Sequence, residues 1–186
     1  MSLLNGVSSY PTGRTATYVI AASTGYPSDA EKAKWQSQSD EVCDGTNDQN
    51  NVMTAAIANG YTDILLSPGT FYADGSTGVT KGAIDITQSN VTIRGSGKYL
   101  TKWFLKASQP ISIFNIGGTV GSPITGIKIS DMELDGNLAN NAYDGTEGQE
   151  CSGIAAYYTS KSRFENIYSH DNRYHGLFMY NNCKGC

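Results

Sequence analysis

Three stretches of the chain share one pattern of apolar and polar positions: Ser89-Asn-Val-Thr-Ile-Arg-Gly95, Ser130-Asp-Met-Glu-Leu-Asp-Gly136 and Glu165-Asn-Ile-Tyr-Ser-His-Asp171. Each alternates inward apolar with outward polar residues and then turns at Gly or Asp, which is the period of a half-buried strand. A second pattern, Gly153-Ile-Ala-Ala-Tyr-Tyr158, returns as Gly176-Leu-Phe-Met-Tyr-Asn181 at a spacing of 23 residues. Self-similarity near such a period, without helical patterning between the copies, predicts a parallel β-helix, a solenoid whose coils stack one on the next. Equivalent residues of successive coils then stand about 4.8 Å apart on one face.

The pattern divides the chain into three parts. Residues 1–16 are rich in Ser, Gly and Thr and read as an arm or linker. Residues 17–62 read as a small α/β cap. A short apolar strand, Tyr18-Val-Ile-Ala-Ala22, precedes a helix opened by a capping box at Ser28 and Glu31, with Trp35 as a packing anchor. A second helix over 49–58 places Val52, Met53, Ala56 and Ile57 at helical spacing, with Thr46 or Asp48 at its start and Gly60 at its end. Such a helix suits the open end of a solenoid, where unpaired edge groups and a cross-section of core need a cover. Residues 63–186 read as coils, with short strands at Ile64–Leu66, Ala83–Ile86, Val91–Arg94, Trp103–Leu105, Ile111–Ile116 and Ile124–Leu134. Aligning the three copies puts Thr92, Glu133 and Tyr168 in one outward column and Arg94, Asp135 and His170 in the next. The spacing between the first two copies requires Lys98–Thr125 to be looped out.

Asp44-Gly-Thr-x-Asp48, the helix ending at Ala55-Ala-Ile57, Leu66-Ser-Pro-Gly-Thr-Phe-Tyr72 and Asn90-Val-Thr-Ile-Arg-Gly-Ser-Gly97 together resemble the N-terminal half of the pectate-lyase-like β-helix superfamily. That superfamily includes phage tailspikes and depolymerases, polysaccharide lyases and C5-epimerases. The resemblance runs over about residues 18–180 and implies an all-β, right-handed parallel β-helix with a small N-terminal α/β cap. It implies a polysaccharide partner and an extracellular or virion-associated location. The motifs belong to the scaffold and specify the activity poorly. Active members are usually much longer, so the expectation is an open last coil covered by further residues or by another subunit, for instance in a trimer.

Composition narrows the classes. The chain has 186 residues, enough for one domain, with 16% charged residues, 21 Gly and 12 Tyr, a turn-rich all-β profile. A net charge of −4 argues against a nucleic-acid binder, which needs a basic stripe. No apolar run reaches the length of a membrane span, and Met-Ser-Leu-Leu-Asn-Gly shows no signal peptide. Of the four cysteines, Cys183-x-x-Cys186 offers half of a zinc site or a disulfide; with Cys43 and Cys151, reduced thiols are the expectation.

The outward columns carry the candidate chemistry. Eliminating or epimerising a uronate needs a base for the C5 proton, a cation for the carboxylate and an acid for the leaving oxygen. Arg94 is the candidate cation, His170 or Tyr168 the acid or base, and Asp135 and Glu133 complete the column. Hydrolysis would instead use two carboxylates, and alternation places Asp131, Glu133 and Asp135 on one face. The loop bearing Asp144, Glu147 and Glu150 overhangs that face in this reading, and Asp131, Asp144 and Glu147 form a candidate Ca²⁺ site. Asp171, Arg173, Tyr174, His175 and Tyr143 are candidate substrate-binding residues, rich in rings that stack on sugars. The competing readings are a surface salt-bridge ladder and a non-catalytic glycan-binding or structural module of a spike or cell-surface protein.

Overall fold

A computed structural model describes residues 17–44, 49–75, 82–109, 111–141 and 151–186. The arm at 1–16, the predicted caps Thr46 and Asp48, and Tyr143, Asp144, Glu147 and Glu150 fall outside the described residues.

The N-terminal part holds β1 (Tyr18–Ala21), α1 (Asp29–Gln38), β2 (Glu41–Val42) and α2 (Gln49–Ala58). The Ser28 hydroxyl accepts from the Glu31 backbone N–H at 3.2 Å and starts α1, which buries none of its residues; Trp35 is only half-buried. The apolar stripe of α2 does bury: Met53, Ala56 and Ile57 join the core, and the helix packs on the first coil. β1 lies parallel to β3 (Asp63–Leu66), with Tyr18 beside Ile64, so the cap extends the sheet it covers.

The rest is mostly β, with parallel strands in curled sheets. β4 (Gly69–Ala73), β5 (Gly82–Ile86), β6 (Thr92–Arg94), β7 (Thr101–Leu105), β8 (Ser112–Gly117), β9 (Ile124–Thr125) and β10 (Lys128–Asp135) precede a 3₁₀ turn at Leu138–Asn140. β11 (Ile154–Tyr157), β12 (Thr159–Ser160), β13 (Arg163–His170) and β14 (Leu177–Tyr180) follow. Three faces recur. β3, β6 and the first halves of β10 and β13 make one; β4, β7 and the second halves of β10 and β13 make the next; β5, β8, β11 and β14 make the third. The two halves of β10 are separated by Asp131, whose φ of 61° turns a corner that Asn166 repeats one coil on, with φ 51°. Gly95 occupies the same corner one coil earlier. A Cβ there would stand 2.0 Å from the Asp131 carbonyl oxygen, so no other residue fits without moving backbone.

The corner overturns part of the alignment read from the sequence. The later two copies do stack as written, Glu133 beside Tyr168 and Asp135 beside His170. The first copy is displaced: Thr92 lies beside Lys128 and Arg94 beside Ser130, an offset of 36 residues where the sequence alignment used 41. Lys98–Thr125 is not looped out, since it supplies β7, β8 and β9. The strand-like motif in the first copy ends at the corner, whereas in the second it begins there. The corner also breaks the alternation that put Asp131 on the face of Glu133 and Asp135. Asp131 itself sits on the turn, so its side chain belongs to neither half of β10, while Glu133 and Asp135 lie on the face that follows.

Stacked apolar side chains fill the interior in columns, such as Ile64, Ile93 and Ile129, or Phe71, Trp103 and Leu134. Trp103 is the largest, with its ring 5.1 Å from Phe71 and 5.9 Å from Phe114. Leu177 and Met179 of β14 continue the inward columns and are exposed.

Candidate functional site

The second face carries the densest polar constellation among the described residues. Thr70, Lys102, Glu133 and Tyr168 form one outward column; Tyr72, Phe104, Asp135 and His170 form the next. Alternation along β7 is the cause: Thr101, Trp103 and Leu105 point inward, so Lys102 and Phe104 point out. Lys102 therefore stands beside Glu133, in the column where the sequence alignment had placed Thr92, and Phe104 takes the place beside Asp135 that the alignment had given Arg94.

Its ammonium bridges two carboxylates, 2.7 Å from Asp135 Oδ2 and 3.1 Å from Glu133 Oε1. Glu133 Oε1 also accepts from His170 Nε2 at 3.0 Å, and His170 Nδ1 lies 2.8 Å from Asp171 Oδ2. The second Asp135 oxygen accepts from the Asn137 backbone N–H at 2.9 Å, so a left-handed turn at Asn137 fixes the carboxylate from the other side. Side chains of Glu133 and Asp135 are only 15% and 11% exposed, which separates them from an ordinary surface ladder.

Both ring nitrogens of His170 lie on carboxylate oxygens, an arrangement that favours the doubly protonated ring, in which both donate. Burial works against that charge, but the bonds to Asp171 and Glu133 and the charges of Asp135 and Glu133 outweigh it and hold its pKa above the usual range. Lys102 behaves alike: burial opposes its charge, and the bonds to Asp135 and Glu133 raise its pKa. Tyr168 lies against the imidazole, ring centroids 4.6 Å apart, and is 44% exposed. Beside the cluster opens a cavity of about 390 Å³ lined by Phe104, Asp135, Asn137, Leu138, Ala139 and Asp171.

Five residues singled out from the sequence thus meet here: Asp135, His170, Tyr168, Glu133 and Asp171. Arg94 does not. It lies before the corner and makes a two-oxygen salt bridge with Asp63 at 3.0 and 3.1 Å. Asp131 sits on the corner itself, its carboxylate accepting from Asn166 Nδ2 at 2.6 Å, a bond that holds its pKa below the usual range. Arg173, Tyr174 and His175 belong to the turn between β13 and β14. The His175 ring stacks at 5.2 Å on Phe178 of the third face. Glu133, Asp135 and His170 each offer a ligand atom within 4.8 Å of the others, a spacing that suits a metal ion, but the Lys102 ammonium already contacts both carboxylates. The four cysteines form no disulfide with one another, and burial pushes the Cys43 thiol up to about 12.

Sequence reasoning missed Lys102. The signal was present in Lys102-Trp-Phe-Leu105, whose alternation matches Glu133-Leu-Asp135 once Trp103 is set beside Leu134.

No family model matches the chain, and no curated protein matches it. Among solved structures it is similar to the A-module of the Azotobacter vinelandii mannuronan C-5 epimerase AlgE6, at 18% identity and a TM-score of 0.49, over 76% of this chain and 52% of that one. The AlgE4 A-module of the same organism aligns at 16% identity and a TM-score of 0.43, over 73% of this chain and 44% of that one. The chain therefore spans about half the length of those modules. Likeness at this level leaves the chemistry to be read from the site itself.

Proposed function

We propose that the chain is a carbohydrate-active protein, a right-handed β-helix whose second face acts on an acidic polysaccharide outside the cell or on a virion, by proton transfer rather than hydrolysis. One observation carries this reading: two cations, Lys102 and His170, are held by nearly buried carboxylates on an outward face, with Tyr168 against the imidazole. When a uronate loses its C5 proton, negative charge grows on its carboxylate and C5. Preorganised cations at that point stabilise the transition state. His170, a double donor, is the acid that protonates the departing glycosidic oxygen in elimination or returns a proton to C5 in epimerisation. Tyr168 is the group on the face that takes the C5 proton, a step that requires its hydroxyl first to give up its own proton to solvent. A hydrolase pair needs one carboxylic acid and one carboxylate, whereas Glu133 and Asp135 both accept from the same ammonium.

The test is incubation with pectate, alginate and bacterial capsular polysaccharides, with and without Ca²⁺, following ultraviolet absorbance, reducing ends and C5 inversion by NMR. Calcium enters as a variable because Asp131 is an oxygen donor whose proposed co-ligands, Asp144 and Glu147, lie outside the described residues. New absorbance or inversion is expected, and it should disappear in His170→Ala and in Asp135→Ala. Near-normal rates in both variants would overturn the assignment. Binding without turnover would favour the non-catalytic glycan module, a reading supported by the exposed rings of Tyr99 and Tyr168.

A further inference from the structure

The segment between β6 and β7 displays two side chains on a fixed loop. Gly97 N–H donates to the Asp131 carbonyl at 3.0 Å, and the N–H groups of Leu100 and Thr101 both donate to the Gly97 carbonyl, at 2.9 and 3.0 Å. Ser96 is tied at both ends: its N–H donates to the Thr101 hydroxyl at 2.8 Å and its hydroxyl to the Leu66 carbonyl at 2.8 Å. Thr101 in turn donates to the Ser67 carbonyl at 2.8 Å. Yet Tyr99, at the tip, is 67% exposed. The bonds fix the backbone beneath Tyr99 while its ring stays largely in water. Its edge meets Tyr168 at a centroid distance of 5.6 Å and 64°, so the two rings form a corner that ends on the His170 imidazole. Lys98 Nζ stands 4.9 Å from the Tyr99 centroid and makes no ion pair with the described residues.

We infer that Lys98, Tyr99 and the outer side of Tyr168 form a binding subsite for an anionic sugar ring next to the residue held at His170. Rings at an angle receive the apolar C–H face of a pyranose, and an ammonium beside them takes its carboxylate. The loop is ordered before the ligand arrives, so little entropy is lost there on binding. This subsite rests on the proposal that the second face takes an acidic polysaccharide, and it adds which residues read the neighbouring sugar.

The experiment measures binding apart from turnover. Tetramers of galacturonate and mannuronate, with maltotetraose as the neutral control, are titrated calorimetrically into the full chain carrying His170→Ala, alone and combined with Tyr99→Ala, Lys98→Gln or Lys98→Arg. The expected result is tight binding of one acidic tetramer over maltotetraose. Tyr99→Ala should weaken it about 2- to 10-fold, the worth of one aromatic contact. Lys98→Gln should weaken it about 2- to 5-fold with a smaller salt dependence, and Lys98→Arg should restore both. Unchanged affinity in both Tyr99→Ala and Lys98→Gln overturns the subsite even where wild-type turnover is established. Binding that depends on Tyr99 and Lys98 without any wild-type turnover keeps the subsite and removes the catalytic reading. Equal binding of maltotetraose, or no binding of either acidic tetramer at millimolar concentration, also overturns it.

Discussion

Replacing Lys102 with Met tests whether the ammonium holds the site together. Lys102 is 31% exposed, and the carboxylates it bridges are 15% and 11% exposed. The interaction lies between the surface case, worth about 0–1 kcal/mol, and a buried pair, whose breakage costs about 3–5 kcal/mol. Removing Lys102 leaves two carboxylates with oxygens within 4.8 Å of each other. Their repulsion is about 3.5 kcal/mol at an effective dielectric near 20 and about 1 kcal/mol in water. His170 still offsets part of it through Glu133. A net loss of about 1–3 kcal/mol at pH 7 is expected, read from urea unfolding midpoints at constant m. Adding Glu133→Gln to Lys102→Met removes one of the repelling charges and should recover at least about 1 kcal/mol in a double-mutant cycle. Lys102 has a raised pKa, so the stability it contributes is fully present at pH 7 and is lost only as pH rises through that value. A variant as stable as the parent at pH 7, or no recovery on adding Glu133→Gln, would refute the reasoning.

Two further outcomes follow from the same geometry. His170 has a raised pKa, so its contribution is fully present below the unfolded value of about 6.5 and is lost as pH rises through the folded one. The stability gap between parent and His170→Gln should therefore narrow from pH 6 to pH 9, and turnover with His170 as acid should fall over the same alkaline range; a gap constant with pH would contradict the imidazolium. Gly95→Ala places a methyl 2.0 Å from the Asp131 carbonyl oxygen and should cost about 1–3 kcal/mol in thermal or urea unfolding. A change within about 0.5 kcal/mol would mean that the corner is not as tightly closed as described.

Much of the architecture was legible along the chain because strand alternation and turn residues are local properties. The later two copies pair in the register their apolar positions demand, since a slip of one residue would turn Met132 and Leu134 outward. The 23-residue repeat is likewise the register of β11 on β14, Ile154 beside Leu177. The same alternation set Asp135 beside His170 and Glu133 beside Tyr168. What local pattern could not decide was where each coil turns. A single residue at positive φ, Asp131, divides β10 into two faces, and that conformation leaves no apolar signature. Depending on where the corner falls within a copy, the same motif lands before it, as with Arg94, or after it, as with Asp135. The cation beside the carboxylates was therefore decided by stacking in three dimensions, which set Trp103 against Leu134 and so turned Lys102 to meet Glu133 and Asp135.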